Sequence, residues 1–294
     1  MQSVKEMVKL LNSISNRHSN WQVFTDFIEL SALAISNSVD KLHFDEREKR
    51  YLDIIGKYSH DDAMIFPQIL GELIRVMQWS AEQKDFPDYL GTLFHEMEFH
   101  NKQKGQFFTP KNMADMCAEM TVGGRDFEAV IAEKGYIAMH EPASGSGVMV
   151  LALAGALAEK GYDWSTQMYV LAQDLDVRCV HMCYIQLSLY GIPAVVVNGN
   201  TLSLEEYEKW YTPVYMLDGW YWRETASLKP SINPDVMAFR CADQPLYGAL
   251  LGLKQLEHQD PKEKPQKEPP KELAEEPAEA TKEQFEQLKQ LILF

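Results

Sequence analysis

Two hydrophobic patterns divide most of the chain. Up to about residue 100, apolar residues recur at spacings of three and four, as in WQVFTDFIELSALAI and AMIFPQILGELIRVMQW, which predicts a helical N-terminal domain over residues 1–100. Short apolar runs then alternate with helical patterns: YIAMH, VMVLALAGALAEK, MYVLAQ, VRCVHMCYIQLSLYG and AVVVNGN. This alternation predicts parallel strands in a doubly wound α/β sheet within residues 101–255.

The pattern changes again after residue 255. Residues 256–283 are rich in Pro, Glu and Lys and hold almost nothing that could pack, which predicts a solvated, disordered linker. Residues 284–294 become apolar again. We therefore expect the linker to carry a C-terminal peptide that binds a partner.

Composition narrows the class of protein further. With 46% apolar residues the chain can bury a substantial core, and no stretch approaches the roughly 18 apolar residues of a membrane span. We expect a cytoplasmic protein with no membrane partner. The net charge of −15 disfavours unaided binding to nucleic acid, which normally needs a basic face.

The four cysteines show no metal-ligand spacing. They are Cys117, Cys179, Cys183 and Cys241, without a CxxC pair. We interpret them as buried thiols and expect no metal site.

Three segments are typical of ligand-binding turns. In GQFFTP, Thr109 is a good helix N-cap and Pro110 suits the first helical turn, so the amide end of a helix could receive an anionic group. In EPASGSG, Gly145 and Gly147 allow a tight turn that a ligand can approach. The alternatives are a simple capped helix for the first segment and a packing turn for the second.

Polar residues also end the second and third predicted strands. Asp174 could accept hydrogen bonds from two ribose hydroxyls, and Asn200 could bond the edge of an adenine ring. The alternatives are an acidic helix cap for Asp174 and a plain turn for Asn200.

The order of the segments DYLGTLFHEM, GQFFTP, EPASGSG, AQDLD and NGNTL resembles the modification subunits of type I restriction systems and related N6-adenine DNA methyltransferases. The resemblance spans residues 88–202. It implies a Rossmann-like class I S-adenosylmethionine-dependent methyltransferase fold, with an abbreviated sheet because the chain is short, and S-adenosylmethionine as cofactor. Two departures are that Ser144 replaces the family's usual Cys and Asn200 replaces its usual Asp.

The resemblance also implies a set of binding residues. Asp174 would hold the ribose, and Asn200 would lie near the adenine. The methionine end of the cofactor would lie against the residues of the second and third segments: Gln106, Phe108, Thr109, Glu141, Ala143, Gly145 and Gly147.

The catalytic loop of that family has no match in the chain. The family places Asn, Asp or Ser before two prolines and an aromatic, which hold the target amine and stack on a flipped base. The best substitute is Asp218 to Tyr221, which follows the apolar run VYML and would supply Asp218 and Tyr221 as catalytic residues. Thr212 to Tyr215 and Asn233 with Pro234 are poorer candidates. The alternative is an aromatic segment that closes the domain by packing.

The C-terminal QLILF matches the QLxLF consensus by which bacterial replication and repair proteins bind the sliding clamp. Four consensus positions agree: Gln290, Leu291, Leu293 and Phe294. A flexible tether would let this peptide search for the clamp. The alternative is an amphipathic helix with Phe285, Leu288 and Ile292 on one face.

Together these features predict a DNA adenine-N6 methyltransferase-like protein tethered to the sliding clamp, with weak or assisted DNA contact and a specificity subunit as a candidate partner. The alternative is a catalytically degenerate relative that binds the clamp and regulates or assists replication, as in a phage or mobile element.

Overall fold

The computed structural model describes residues 2–14, 18–97 and 109–227, and residues 1–227 form one compact unit. The unit is a mixed α/β structure, as predicted. The linker over residues 256–283, the peptide over 284–294 and Cys241 lie outside the described residues.

Within the described residues, six helices lie in the segment predicted as the N-terminal domain. The two helices predicted from hydrophobic spacing are α2 and α5, and Ser19 caps α2 by accepting a hydrogen bond from the Gln22 amide at 3.2 Å. The helices are α1 (Gln2–Ser13), α2 (Asn20–Val39), α3 (Phe44–Ile55), α4 (His60–Ala63), α5 (Ile65–Glu82) and α6 (Tyr89–Glu96).

The sheet has four strands in the order β1-β2-β3-β4 among the described residues. The first three run parallel, as predicted, and β4 is antiparallel to β3. The strands are β1 (Ile137–Glu141), β2 (Met168–Asp174), β3 (Ala194–Asn200) and β4 (Glu205–Tyr211). The remaining helices are α7 (Lys111–Gly123), α8 (Phe127–Lys134), α9 (Val148–Glu159), α10 (Trp164–Gln167), α11 (Val177–Leu189), α12 (Pro213–Leu217) and α13 (Trp220–Ser227).

The region after β3 differs from the sequence-based expectation. The run VYML, interpreted as the strand before the catalytic loop, belongs to helix α12, which begins at Pro213 because a proline suits the first helical position. The strand is instead the charged EEYEKWY segment, β4. Its first four residues are exposed, which suits the charged edge of a sheet.

The two faces of the sheet are covered differently. One face, represented by Ile137, Val170 and Val196, joins a continuous apolar core shared with α9, α11 and the N-terminal helices. The other face is covered by a small cluster that includes Trp220 of α13 and Tyr215 of α12. The segment predicted as an N-terminal domain therefore packs into the same core as the sheet.

A buried arginine also connects the helical segment to the sheet. Arg47 of α3 donates to the Asp40 carboxylate at 2.9 Å and to the Lys209 carbonyl of β4 at 2.9 Å. Its guanidinium lies 4.1 Å from the centre of the Trp210 ring.

Candidate cofactor-binding site

The polar residues predicted to bind a ligand meet at one edge of the sheet. Glu141, Asp174 and Asn200 are the last residues of β1, β2 and β3. Because these strands are parallel and adjacent, their carboxyl ends form one edge, where open α/β sheets bind ligands.

The glycine-rich turn after β1 is built for close packing. Gly145 has φ 54° and Gly147 has φ 100°, a backbone region that favours glycine. A methyl group at Gly147 would lie 3.2 Å from the Cys183 sulfur of α11. The turn therefore lies directly on α11, and its shape depends on the missing side chain.

Asp174 connects this turn to the second strand. Its Oδ2 accepts a hydrogen bond from the Gly145 amide at 2.9 Å, and its Oδ1 accepts one from the Asp176 amide at 2.9 Å. Burial raises the pKa of the Asp174 carboxyl, although the two amide contacts oppose the shift. Each carboxylate oxygen has a second lone pair, so Asp174 retains the capacity to accept from ligand hydroxyls.

Glu141 is half-buried at the end of β1. Its Oε1 accepts a hydrogen bond from the Ala143 amide at 3.4 Å. Burial raises the pKa of the Glu141 carboxyl, and the nearby Asp174 charge adds to the rise. The two acids therefore influence each other across the edge.

Two helix N-termini open onto one cavity beside this edge. Pro110 is the N-cap residue of α7 and Gly147 is the N-cap residue of α9, and neither has a side chain that can accept from the helix amides. The cavity has a volume of about 580 Å³, within the usual range of small-molecule sites. Its lining includes both helix starts, one side of α6 and the two acidic residues Asp85 and Asp88 that precede α6: Asp85, Pro87, Asp88, Gly91, Thr92, His95, Thr109, Pro110, Lys111, Asp115 and Val148.

The prediction that Thr109 caps this helix is wrong by one residue. Pro110 has an extended backbone, with φ −58° and ψ 139°, and its carbonyl accepts from Met113 and Ala114. Pro110 is therefore the cap, and Thr109 lies one residue before it, exposed at the cavity.

Asn200 forms part of a turn, which was the alternative to adenine binding considered for this residue. Its Oδ1 accepts from the Leu202 amide at 3.0 Å and the Ser203 amide at 3.3 Å. The next residue, Thr201, donates to the Pro142 carbonyl at 2.7 Å, which connects the ends of β3 and β1. The Asn200 oxygen is thus already occupied by the protein.

Sequence reasoning missed two exposed leucines at this edge. Leu175 directly follows Asp174 and is 63% exposed, and Leu202 follows Asn200 by two residues and is 97% exposed. Large apolar side chains beside polar groups are suited to contact the faces of a flat ring. For Leu175 a sequence signal was available, because it is an apolar residue directly after the acidic residue that ends β2.

The predicted catalytic residues lie elsewhere. In α13, Arg223 donates to the carbonyls of Gly135 and Thr166. These two residues lie two positions before β1 and β2, respectively. Asp218 and Tyr221 flank the start of this helix, so they lie toward the amino ends of the strands. The structure does not bring them to the carboxyl edge, because antiparallel β4 returns the chain to the opposite edge.

Tyr221 belongs to the aromatic cluster on the second face of the sheet. It packs against the group that contains Tyr136, Tyr169 and Trp220. This placement matches the packing alternative considered for the segment.

Several other predictions can be placed only in part. Gln106 and Phe108 lie outside the described residues, as do Gln290, Leu291, Leu293 and Phe294. Cys179 and Cys183 are buried as expected, whereas Cys117 is exposed on α7. Within the described ranges no cluster of metal-ligating side chains occurs, and no helix there is long and apolar enough to cross a membrane.

Comparison with known proteins gives a family match that includes most residues of this site. Residues 86–217 match the family model described as N-6 DNA Methylase. The resemblance to N6-adenine DNA methyltransferases is confirmed. The chain is also 23% identical over 177 residues to the type I restriction enzyme MpnII methylase subunit of Mycoplasma pneumoniae, across 59% of this chain and 25% of that protein. It thus matches about a quarter of the length of this relative.

A solved structure gives a weaker likeness. The type I restriction-modification system methyltransferase subunit from Streptococcus thermophilus has 14% sequence identity and a TM-score of 0.36, over 69% of this chain and 58% of that chain.

The family match includes predicted cofactor-binding residues and leaves out the predicted catalytic residues. It begins two residues before Asp88 and contains the glycine turn, Asp174 and Asn200. It ends at residue 217, so Asp218 and Tyr221 lie beyond it.

Proposed function

We propose that the chain binds S-adenosylmethionine at the carboxyl edge of the sheet, as a DNA adenine-N6 methyltransferase-like protein with a Rossmann-like class I fold. The observation that carries this proposal is the contact between the glycine turn and Asp174 at the carboxyl edge, next to a cavity lined by the N-terminal residues of α7 and α9. This arrangement suits a ligand with an anionic end and a sugar.

The residues present fit the cofactor. Gly147 leaves space where any side chain would meet Cys183, and Asp174 can accept from ribose hydroxyls. Leu175 and Leu202 would contact the adenine faces, and Asn200 would contribute only through its amide nitrogen, since its oxygen is used in the turn. When bound, the cofactor supplies an electrophilic methyl group.

The methionine end would lie at the two helix starts. Its carboxylate would face the amide ends of α7 and α9, beside Thr109, Gly145 and Gly147, with Glu141 and Ala143 close by in the same turn. Gln106 and Phe108, which precede α7 in sequence, complete the proposed set.

Calorimetric titration with S-adenosylmethionine tests the binding step. We expect the full chain to bind, and Asp174→Ala to weaken binding at least tenfold. Asp163→Ala is the matched control, because Asp163 also accepts a hydrogen bond from a backbone amide, that of Ser165, but lies before the amino end of β2. Absence of binding by the unmodified chain would refute the proposal, and equal weakening by both variants would remove the role of Asp174.

Methyl transfer is a separate step. We propose as a second candidate a relative that binds the cofactor without transferring its methyl group, because Asp218 and Tyr221 lie toward the amino edge. Incubation of the chain with labelled S-adenosylmethionine and unmethylated DNA, with and without sliding clamp, distinguishes the candidates. Transfer that disappears in Asp218→Ala excludes the second candidate, and binding without transfer in either condition excludes the first.

Partner binding completes the proposal. A clamp contact through Gln290, Leu291, Leu293 and Phe294 would hold an acidic chain of net charge −15 near DNA at high effective concentration. The name of the Mycoplasma relative, a methylase subunit, suggests a further subunit that reads the DNA sequence. Surface plasmon resonance on immobilised clamp should show binding that is lost when residues 290–294 are removed.

A further inference from the structure

A buried hydrogen-bond network connects the glycine turn to α6 and α11. Ser146, at the centre of the turn, is fully buried, and its hydroxyl donates to Oδ2 of Asp88 at 2.5 Å. Gln186 of α11 is also fully buried, and its Nε2 donates to Oδ1 of Asp88 and to the Ser146 carbonyl, both at 2.8 Å. The Ser146 hydroxyl and the Ser146 carbonyl thus both connect the turn to the network.

The network also forms the start of α6. Asp88 is the N-cap residue, and its Oδ1 accepts from the Gly91 amide at 2.8 Å. The remaining polar atom of Gln186, Oε1, accepts from the Leu90 amide at 3.2 Å. Every polar atom of the Gln186 side chain is therefore used, and two amides at the α6 start are satisfied.

The space around Asp88 shows how closely the network is packed. A methyl group at Gly91 would lie 2.1 Å from Oδ2 of Asp88, a distance that real side chains do not show. The carboxylate thus fills the space that a side chain at Gly91 would occupy. It contributes to the lining of the 580 Å³ cavity while its oxygens point to protein donors.

We infer that Asp88 and Gln186 are positioning residues that hold the Gly145–Gly147 turn in its binding conformation through Ser146. The inference rests on the proposed function for its ligand. Its physical basis is independent of that function: a turn with two positive-φ glycines has few local restraints, and buried satisfied hydrogen bonds supply them. Asp88 and Gln186 lie 98 residues apart, so the network forms only when α6 and α11 are docked.

The experiment compares two variants that break the network with one that breaks a similar bond elsewhere. Ser146→Ala removes one hydroxyl, and Gln186→Met removes all the Gln186 hydrogen bonds at nearly constant volume. Thr212→Val is the control, because Thr212 is fully buried and its hydroxyl donates to the Ile192 carbonyl at 2.9 Å at the amino end of β3. Asp88→Asn is the conservative variant, since an amide keeps both an acceptor for Gly91 and a polar contact for Ser146.

Two readouts are taken on the full chain. Hydrogen exchange of peptides that cover residues 143–150, without ligand, should become at least tenfold faster in Ser146→Ala and Gln186→Met, and unchanged in Thr212→Val. The dissociation constant for S-adenosylmethionine should rise about tenfold in the first two variants, and less than threefold in Thr212→Val and Asp88→Asn.

The two proposals fail in different ways. If the unmodified chain does not bind S-adenosylmethionine, the proposed function fails, and the exchange data still decide the inference. The inference is overturned if hydrogen exchange in the turn is as slow in Ser146→Ala and Gln186→Met as in the unmodified chain. It is also overturned by a loss of affinity that is no larger than that of Thr212→Val.

Discussion

Replacement of Gly147 by alanine tests whether the glycine turn is shaped by its contact with α11. Two costs are expected. Alanine at φ 100° carries a backbone strain of about 1–2 kcal/mol. Its methyl group would also lie 3.2 Å from the Cys183 sulfur, closer than ordinary contact, and overpacking of this kind costs about 1–3 kcal/mol. The unfolding free energy should therefore fall by about 3 kcal/mol in total.

Gly161→Ala separates the two costs. Gly161 has φ 89°, and a methyl group there would meet no atom within 4 Å, so only the backbone cost of about 1–2 kcal/mol applies. Urea denaturation followed by circular dichroism measures both variants, and calorimetry measures their affinity for S-adenosylmethionine. Only Gly147→Ala should lose affinity.

A second background checks the contact itself. In a Cys183→Ala chain the nearest atoms to the new methyl group would be the residue 183 Cα and Cβ, at 3.7 and 3.8 Å, which are ordinary contacts. Gly147→Ala should then cost no more than Gly161→Ala. If Gly147→Ala is no more destabilising than Gly161→Ala in the original chain, the reasoning about the α11 contact is refuted.

Three further predictions concern charge and burial. Because burial raises the pKa of Asp174, affinity for S-adenosylmethionine should increase as pH rises through that raised pKa and then level off. Calorimetry that starts near the ordinary pKa of an aspartate and continues to neutral pH should show this rise, and a constant affinity over that range would contradict it. Burial lowers the pKa of His181 to about 4, so the unfolded chain takes up a proton first as pH falls. Stability should decrease from about pH 6.5 to pH 4, by about 3 kcal/mol at most, and His181→Leu should lack this part of the decrease. Arg47→Met removes the guanidinium from the buried Asp40 carboxylate, which keeps only His43 and two backbone amides, and should cost about 3–5 kcal/mol in urea denaturation. Arg50→Met, in the same helix but half exposed, should cost less than about 1 kcal/mol.

Strands β2 and β3 could be predicted because most of their side chains are apolar on both faces. The runs that became β2 and β3 are almost entirely buried, so their sequences are continuous apolar segments bounded by turns. In β4 only Trp210 is buried, and its charged residues follow from its edge position, which local sequence does not encode. The run VYML is too short for its period to distinguish strand from helix.

The site was predictable where chain order fixes geometry. Glu141, Gly145, Gly147 and Asp174 meet because parallel strands place their carboxyl ends together. The contact between Asp88 and Gln186 could not be found in the same way, since nothing local connects residues 98 apart. The placement of Asp218 failed for a related reason, because it depended on the direction of a strand that was not predicted.

The cap formed by Asp88 has a consequence for how this protein can be divided. A fragment that begins at residue 101, where the sheet domain was predicted to start, would lack α6 and therefore the carboxylate that holds Ser146. Recombination between related genes, or a designer who wishes to move the binding turn to another scaffold, would have to carry α6 along with it. The smallest transferable module thus starts before residue 88, near the point where the family match begins.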